Sequence, residues 1–374
     1  MGRIFLSAPD VGELEGKYVQ EALSSGWVAP AGPDLDAFES EMAQRVGVGY
    51  AVGLSSATAG LHLGLLALGV RPGDVVLTST MTFAATANAI TYTGAIPFFI
   101  DCDRETGNVD VELLRQAAVS LRVAGRRVGA IVPVDLLGKC ADMNALQQLA
   151  AELAVPLLVD AAESMGATYD GQQAGSFGDA SVISFNGNKI MTTSGGGLLL
   201  SDDEQIVQRV RYLATQARQP VTHYEHTEIG YNYRLSNVLA ALGRAQLSRL
   251  DLMIERRRQF REAYRQLFAR VPGVTIFGGD DSADNCWLTS ILVQATAGWT
   301  AAQLSQYLLT REIESRPLWK PMHLQPVFAN VERLVNGNSQ WLFDHGLTLP
   351  SGSGMSDADF STVCEAIQMF LRHE

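Results

Sequence analysis

Short apolar runs alternate with segments of helical periodicity between about Tyr50 and Leu200, and this alternation constrains the fold more than any other feature of the chain. Such alternation is typical of a largely parallel sheet covered by helices. The helix-period segments include MNALQQLAAELA at residues 143–154. The candidate strands are AVGL (51–54), DVVLTS (74–79), IPFFID (96–101), GAIVPV (129–134) and PLLVD (156–160). The sequence therefore predicts an α/β domain.

Two further candidate strands, ASVISFN (180–186) and GGLLLSD (196–202), follow each other closely. The chain between them is too short for a crossover helix, so we expect one strand to run antiparallel. A long helical pattern then begins at Asn237 and is expected to link two domains. Beyond Pro272, candidate strands near 287–293 and helices at 301–310 and 357–372 indicate a smaller α+β unit. We predict a large domain over residues 1–248 and a small C-terminal domain over residues 249–374.

Composition limits the class of protein and its partners. The chain of 374 residues is 47% hydrophobic, which is enough for more than one core. A formal net charge of -12 disfavours nonspecific binding to nucleic acid or an anionic membrane, and an anionic ligand would need a locally basic pocket. No targeting segment or membrane span is recognised, so a cytoplasmic protein is expected. The four scattered cysteines suggest neither a zinc site nor a disulfide framework.

Two charged residues follow candidate strands at the edge where open α/β sheets bind ligands. Asp160 ends the run VPLLVD, and a carboxylate there could hold a protonated pyridine nitrogen, as in pyridoxal-phosphate enzymes. It could equally cap a helix. Lys189 ends the segment SFNGNK, where a partly desolvated lysine could lose its proton and bond to an aldehyde carbon. Most lysines, however, are solvated surface cations.

Small and aromatic side chains also follow candidate strands. The segment SSATAG, residues 55–60, opens a helical run, so its N–H groups and the Thr58 hydroxyl could bind a phosphate at the helix N-terminus. An ordinary helix cap is the alternative. Ser184 offers a second hydroxyl near Lys189. Phe83 follows the strand at 74–79 and could stack on a pyridine ring, although it could also be a core residue.

These features occur together with several longer motifs. They are SGWVAPAGPDLDAFE (25–39), SSATAGLHLGL, TFAATANAI, PVDLLGKCADM, VDAAESMGA, SFNGNKIMTTSGGG and GYNYRLSN. The set resembles the DegT/StrS sugar aminotransferases nearly from end to end. This resemblance implies an aspartate-aminotransferase-like fold of type I, in which a mostly parallel mixed sheet is flanked by helices. It also implies pyridoxal 5'-phosphate as cofactor and a homodimer with its active site at the subunit interface.

The resemblance also implies roles for individual residues. Lys189 would form the Schiff base and move a proton between the substrate carbon and the cofactor's C4' carbon. Glu163 would lie near the cofactor's 3'-oxygen, where many relatives carry Gln or His, and its carboxylate would repel a phenolate unless one of the two is protonated. The other cofactor contacts would be Asp160 with the pyridine nitrogen, Ala57, Thr58 and Ser184 with the phosphate, Phe83 with the ring, and Asn232 reaching across from the partner subunit.

A closer likeness concerns the substrate. The segments NGNKIMTTSGGG, TQARQPVTHYEHTEIGYNYRLSN, SRPLWKPMHLQPVF and NGNSQWLFDHGLTLPSG resemble the bacillosamine-pathway members of the family. These act at C4 of a UDP-linked 4-keto-6-deoxy-N-acetylglucosamine with glutamate as amino donor. The candidates for holding the nucleotide sugar, with the cations facing its diphosphate, are Arg218, Arg316, Trp319, Lys320 and His323. These residues could instead make surface or interface contacts.

Several alternatives remain at the level of sequence. The same chemistry could act on another nucleotide keto sugar, such as a 3-keto or dTDP-linked one. Dehydratases of the family replace the Schiff-base lysine with histidine, and a non-catalytic relative would be expected to lose that lysine. Lys189 is present, so transamination is favoured. A dinucleotide oxidoreductase is disfavoured because no G-x-G-x-x-G follows the first strand.

Overall fold

A computed structural model describes residues 2–373, and it contains the predicted alternation of strands and helices. All seven strands expected between residues 50 and 202 are present, with ends shifted by no more than two residues. The strands are β1 (Tyr50–Leu54), β2 (Val75–Ser79), β3 (Ile96–Ile100), β4 (Val128–Val132), β5 (Leu158–Asp160), β6 (Thr168–Tyr169), β7 (Gln172–Gln173), β8 (Ala180–Ser184), β9 (Gly197–Ser201), β10 (Val274–Ile276), β11 (Thr289–Val293), β12 (Arg316–Pro317), β13 (Arg333–Leu334) and β14 (Gly346–Leu349).

Several helices begin where the sequence supplies a side chain to cap them. Asp110, Asp142 and Asp203 each accept a hydrogen bond from a backbone N–H in the first turn of the helix that follows. The helices are α1 (Glu13–Ser25), α2 (Pro33–Val46), α3 (Ala57–Ala67), α4 (Ala84–Tyr92), α5 (Val111–Val123), α6 (Met143–Leu153), α7 (Glu204–Ala214), α8 (Asn237–Phe268), α9 (Ala301–Leu309), α10 (Asn338–His345) and α11 (Asp357–His373). None of the helices formed by residues 2–373 is long and apolar enough to cross a bilayer.

The large sheet has the strand order β13-β3-β2-β4-β5-β8-β9-β1. Parallel bridges from Ile131 to Leu157 and from Val134 to Asp160 join β4 to β5. Strand β9 is antiparallel to both of its neighbours, β8 and β1, which confirms the expected reversed strand. Strands β2, β8 and β9 are buried along their whole length, as expected for a sheet covered on both faces. The carboxyl ends of β1, β2, β5 and β8 therefore lie along one edge.

A smaller antiparallel sheet, in the order β10-β11-β14-β12, packs with α9, α11 and the end of α8. Helix α8 is continuous from Asn237 to Phe268, so the predicted boundary between residues 248 and 249 lies within it. The chain also crosses between the two sheets elsewhere. Ile4 pairs with Ile313 beside the small sheet, and β13 joins the large sheet through β3. The division into two domains at that position stays a prediction.

His62, on α3, is buried among aromatic rings instead of hydrogen-bond partners. Its ring centroid lies 5.8 Å from that of Tyr92, 4.9 Å from that of Tyr231 and 6.2 Å from that of Tyr233. Neither ring nitrogen has a hydrogen-bond partner among the described residues. Burial lowers the pKa of His62, because this apolar surrounding disfavours the imidazolium. The folded protein therefore holds a neutral imidazole.

We expect this histidine to make folding sensitive to acid. The unfolded chain takes up the proton near pH 6.5 while the folded chain resists it, so stability is present above that pH and is lost below it. A His62→Phe protein should lose less unfolding free energy between pH 7 and pH 5, by at most ~1.4 kcal/mol per pH unit. Denaturant titrations at the two pH values measure this, with the exposed His223→Phe as control. Identical pH slopes for both variants and the native protein would contradict the expectation.

Candidate active site

Asp160 is a buried carboxylate at the end of β5. Its Oδ2 accepts a hydrogen bond of 2.6 Å from Thr86 Oγ1, and its Oδ1 accepts one of 3.2 Å from the Ala162 N–H. Burial raises the pKa of Asp160, and the nearby charge of Glu163 raises it further. A cation placed against this carboxylate would offset the cost of desolvation. The protonated nitrogen of a pyridine ring is such a group.

Lys189 lies in the turn after β8, and its side chain is only 12% exposed. Its Nζ lies 3.3 Å from Glu163 Oε1 and 4.0 Å from the centroid of the Trp287 ring. The other oxygen of Glu163 accepts a hydrogen bond of 2.8 Å from the Leu137 N–H. The structure thus brings the predicted Schiff-base lysine into the same cavity as Asp160 and Glu163.

The start of α3 provides a corner suited to a phosphate. Ser56 caps the helix by accepting a hydrogen bond of 3.0 Å from the Ala59 N–H, which leaves Ala57 and Thr58 in the first turn facing the cavity. The initial N–H groups of a helix have no partner within it and attract anions. A Cβ on Gly197 would lie 2.3 Å from the Ala57 nitrogen, so only glycine permits this close approach of β9.

These groups line one cavity of about 270 Å³. It holds a helix N-terminus, hydroxyl groups, a buried carboxylate and a lysine amine, which together match the phosphate, ring nitrogen and aldehyde of pyridoxal phosphate. The residues present therefore fit the cofactor. Its lining residues include Ser55, Ser56, Ala57, Thr58, Thr82, Phe83, Asp160, Ala162, Glu163, Ser184, Asn186, Lys189, Gly195 and Gly196.

Phe83 joins this cavity to a second one. It is 58% exposed, and its ring centroid lies 5.8 Å from that of Trp319. The second cavity has a volume of about 530 Å³ and is lined on one side by Arg316, Trp319 and Lys320. Three of the five residues predicted to hold the nucleotide sugar therefore line one chamber, which also meets Asn188, the residue before Lys189.

Two other predicted substrate residues lie elsewhere. His323 is buried, and its Nδ1 lies 2.7 Å from Thr80 Oγ1, so its ring fastens the segment after β12 to the end of β2. Arg218 lies in the loop after α7, where its guanidinium carbon is 4.4 Å from the centroid of the Tyr224 ring. Neither residue lines the two cavities, and contact of either with a nucleotide sugar stays a prediction.

Asn232 also lies outside the cofactor-sized cavity of its own chain. Its Oδ1 accepts a hydrogen bond of 3.0 Å from Gln216 Nε2, and its backbone pairs with Thr215. That it reaches the cofactor of a partner subunit stays a prediction.

Three further residues, which were not predicted from the sequence, organise the site. Thr86 donates to Asp160, and its position three residues after Phe83 in TFAATANAI was a usable signal, because residues so spaced share a helix face. Trp287 and Asn285 contact the groups around Lys189 from the segment before β11. No local pattern could reveal them, since they are remote from Lys189 in sequence.

The chain is similar in sequence and in fold to known aminotransferases. Residues 9–368 match the DegT/DnrJ/EryC1/StrS aminotransferase family. The chain is 41% identical to EpsN of Bacillus subtilis, described as a pyridoxal phosphate-dependent aminotransferase, over 98% of this chain and 95% of that one. It is 34% identical to the GDP-perosamine synthase of Caulobacter vibrioides, over 99% and 98% of the two chains. The solved sugar aminotransferase Spr1654 of Streptococcus pneumoniae, in its PMP form, superposes with a TM-score of 0.90 at 26% identity, covering 99% of this chain and 98% of that one.

Proposed function

Because the chain belongs to the DegT/DnrJ/EryC1/StrS aminotransferase family, we propose that it transfers an amino group from glutamate to a nucleotide-linked 4-keto-6-deoxy sugar. The fold-type-I architecture and the dependence on pyridoxal phosphate are confirmed, and the chain is a sugar aminotransferase. The proposed sugar is UDP-4-keto-6-deoxy-N-acetylglucosamine. One observation carries the proposal: the amine of Lys189 lies in a cofactor-sized cavity that shares Phe83 with a larger chamber lined by Arg316 and Lys320.

The cofactor would be held by residues that each meet a different part of it. Asp160 would hold the ring nitrogen by a charge-assisted hydrogen bond, while Phe83 packs against the ring. The phosphate would lie at the N-terminus of α3, against Ala57, Thr58 and Ser184. We further propose a homodimer in which Asn232 completes this phosphate site from the partner subunit. When bound, pyridoxal phosphate supplies an electron sink for the bond that breaks at the substrate carbon.

Lys189 would move the proton on which amino transfer depends. Its Nζ would take the proton from the amino donor's α-carbon and would carry a proton to the cofactor's C4' carbon. The same proton transfers in the reverse sense would place the amino group on the keto carbon of the sugar, whose oxygen would leave as water. The side chain is largely shielded from water, so few solvent molecules compete for this proton. Glu163, 3.3 Å away, provides a carboxylate against which the protonated amine can rest.

The larger chamber suits an anionic, sugar-bearing ligand. Arg316 is exposed on its rim and makes a hydrogen bond of 2.8 Å to Glu314, and Lys320 lies beside it. Glu314 lines the same chamber and offsets one of the two cations, and the remaining positive charge would attract a diphosphate even though the whole chain is acidic. Trp319 adds an apolar face for the base or the sugar.

Borohydride trapping tests the proposal. The purified protein should show a visible absorbance band that borohydride removes, and peptide mapping should then find the cofactor attached to Lys189. Adding UDP-4-keto-6-deoxy-N-acetylglucosamine to the pyridoxamine-phosphate-loaded protein should restore the band. Absence of any cofactor on Lys189 would overturn the proposed reaction.

A GDP-linked keto sugar is the second candidate, because a relative 34% identical to the chain is a GDP-perosamine synthase. UDP-, GDP- and dTDP-linked keto sugars, supplied in parallel to the pyridoxamine-phosphate-loaded protein, distinguish the candidates by the rate at which each restores the band. A faster response to the GDP sugar than to the UDP sugar would replace the proposed substrate while leaving the reaction unchanged.

We expect Lys320→Gln to weaken sugar binding without damaging the chemistry. Loss of one charge-assisted contact to a diphosphate should raise the KM for the nucleotide sugar about tenfold and leave kcat within about twofold. Steady-state kinetics with varied sugar and saturating amino donor measure both constants. The matched control is Lys17→Gln on α1, where the lysine is exposed and pairs with Glu21. An unchanged KM in the Lys320 variant would remove this residue from the proposed site.

A further inference from the structure

The amine of Lys189 lies between two side chains that differ in chemistry. Glu163 Oε1 is 3.3 Å from Nζ, and the centroid of the Trp287 ring is 4.0 Å from it. An ammonium between a carboxylate and an aromatic face is stabilised by an ion pair and by a cation–π interaction. Both interactions are stronger where water is excluded, and the Lys189 side chain is only 12% exposed.

The Trp287 ring is held in this position by its own hydrogen bonds. Trp287 is fully buried, and its Nε1 donates a hydrogen bond of 2.8 Å to the carbonyl of Asn188, the residue before Lys189. Its backbone N–H donates another of 2.8 Å to Asn285 Oδ1. The indole therefore cannot turn away from the lysine without breaking contacts that are themselves buried.

Asn285 links the backbone of Trp287 to the backbone of Glu163, on the other side of the lysine. Its Nδ2 donates to the carbonyl oxygens of Glu163, at 2.8 Å, and Met165, at 3.0 Å. The amide fits only because Gly138 faces it: a Cβ at Gly138 would lie 2.0 Å from Asn285 Oδ1. One buried amide thus fixes the backbone of both residues whose side chains flank the amine.

We propose that Trp287 and Glu163 form a resting site for the ε-ammonium of Lys189, used whenever Nζ is not bonded to the cofactor, and that Asn285 is the positioning residue of this site. The inference rests on the proposed function, in which Lys189 alternates between a bonded and a free state. Bonding forms a carbon–nitrogen bond between Nζ and the aldehyde carbon, releases the aldehyde oxygen as water, and leaves the positive charge on nitrogen. The free ammonium that contacts Glu163 and Trp287 no longer exists once this bond has formed.

The resting site should therefore stabilise some states of the enzyme and not others. The cofactor-free protein and the complex with pyridoxamine phosphate both contain a free Lys189, whereas the complex with pyridoxal phosphate does not. Because the resting site stabilises the free amine of Lys189, it makes it easier for the amino donor to displace Lys189 from the cofactor. The same stabilisation opposes formation of the covalent bond, so removing the site should tighten binding of pyridoxal phosphate while leaving binding of pyridoxamine phosphate unaffected.

Calorimetric titration of the cofactor-free protein tests this difference. For Trp287→Met, in which a flexible apolar side chain replaces the ring, the Kd of pyridoxal phosphate should fall about fivefold. The Kd of pyridoxamine phosphate should stay within about twofold of the native value. The matched control is Trp299→Met, because Trp299 is buried against Phe370 in the core of the small sheet. Weakening of both cofactors together would indicate a purely structural role, and unchanged constants would equally overturn the proposal.

A second measurement needs neither a cofactor nor a variant of Trp287. The chain contains only four lysines, at positions 17, 139, 189 and 320, so reductive methylation with ¹³C-formaldehyde labels few sites. In the cofactor-free protein, the methyl resonance of Lys189 should lie upfield of the others, because it lies over the indole ring. The resonance is assigned to Lys189 because it should be absent from the spectrum of a Lys189→Arg protein. A Lys189 resonance at the position of a solvated lysine would refute the resting site.

Failure of this inference is separable from failure of the proposed function. Borohydride trapping of cofactor on Lys189, together with no difference between the two cofactors in the Trp287→Met titration, would reject the resting site alone. Absence of any trapped cofactor would reject the proposed reaction, and the methyl resonance would still decide where the free amine lies.

Discussion

A Lys189→Ala protein is expected to lose about 10⁴-fold or more of its aminotransferase turnover. The substitution removes the amine that bonds to the cofactor and that moves the proton at the substrate carbon. The other cofactor contacts, including Asp160 and the N-terminus of α3, remain, so the variant should still bind pyridoxal phosphate without a covalent bond. Single-turnover assays with amino donor and keto sugar measure the loss, and absorbance spectra measure the retained cofactor.

Two further observations distinguish a chemical role of Lys189 from a structural one. Small primary amines added to the Lys189→Ala protein should partly restore proton transfer, since the vacated space lies beside the reacting atoms. A Lys17→Ala protein should retain native turnover, because that lysine lies exposed on α1. Native turnover in the Lys189→Ala protein would show that the proposed reaction does not use this residue.

Replacing Asp160 with asparagine is expected to lower kcat by about 10²–10³-fold, the usual cost of removing one fixed electrostatic group from an active site. The neutral amide cannot keep the ring nitrogen of the cofactor protonated, so electrons released at the substrate carbon are drawn less strongly. Spectroscopic titration of the bound cofactor should show the loss of the protonated ring, and steady-state assays give the change in kcat.

The same substitution should not destabilise the cofactor-free protein. Burial raises the pKa of Asp160 above that of the unfolded chain, so the folded state loses stability as pH rises through the folded pKa. Asparagine carries no charge to desolvate. The free energy of unfolding of Asp160→Asn without cofactor should therefore equal or exceed the native value at pH 8, while activity falls. A large loss of stability would mean that the fall in kcat reflects damage to the fold and carries no information about Asp160 chemistry.

The local sequence pattern was sufficient to predict much of the fold. The alternation of apolar runs with helical segments determined the strands of the large sheet, because a strand and a helix differ in hydrophobic period. The short link between β8 and β9 required an antiparallel strand. Asp160 and Ala57 could be assigned to the ligand-binding edge from sequence, since the carboxyl ends of parallel strands meet there.

Other features depend on contacts between distant parts of the chain. Glu163 and Trp287 set the position of the Lys189 amine. Trp287 comes from the part of the chain that follows α8. The gathering of Arg316 and Lys320 around one chamber, and the burial of His323 against Thr80, likewise depend on how the segment around β12 packs on the large sheet. Periodicity reports only which face of an element is buried. Which remote side chain completes a contact is decided by three-dimensional packing, so only the tertiary structure could show it.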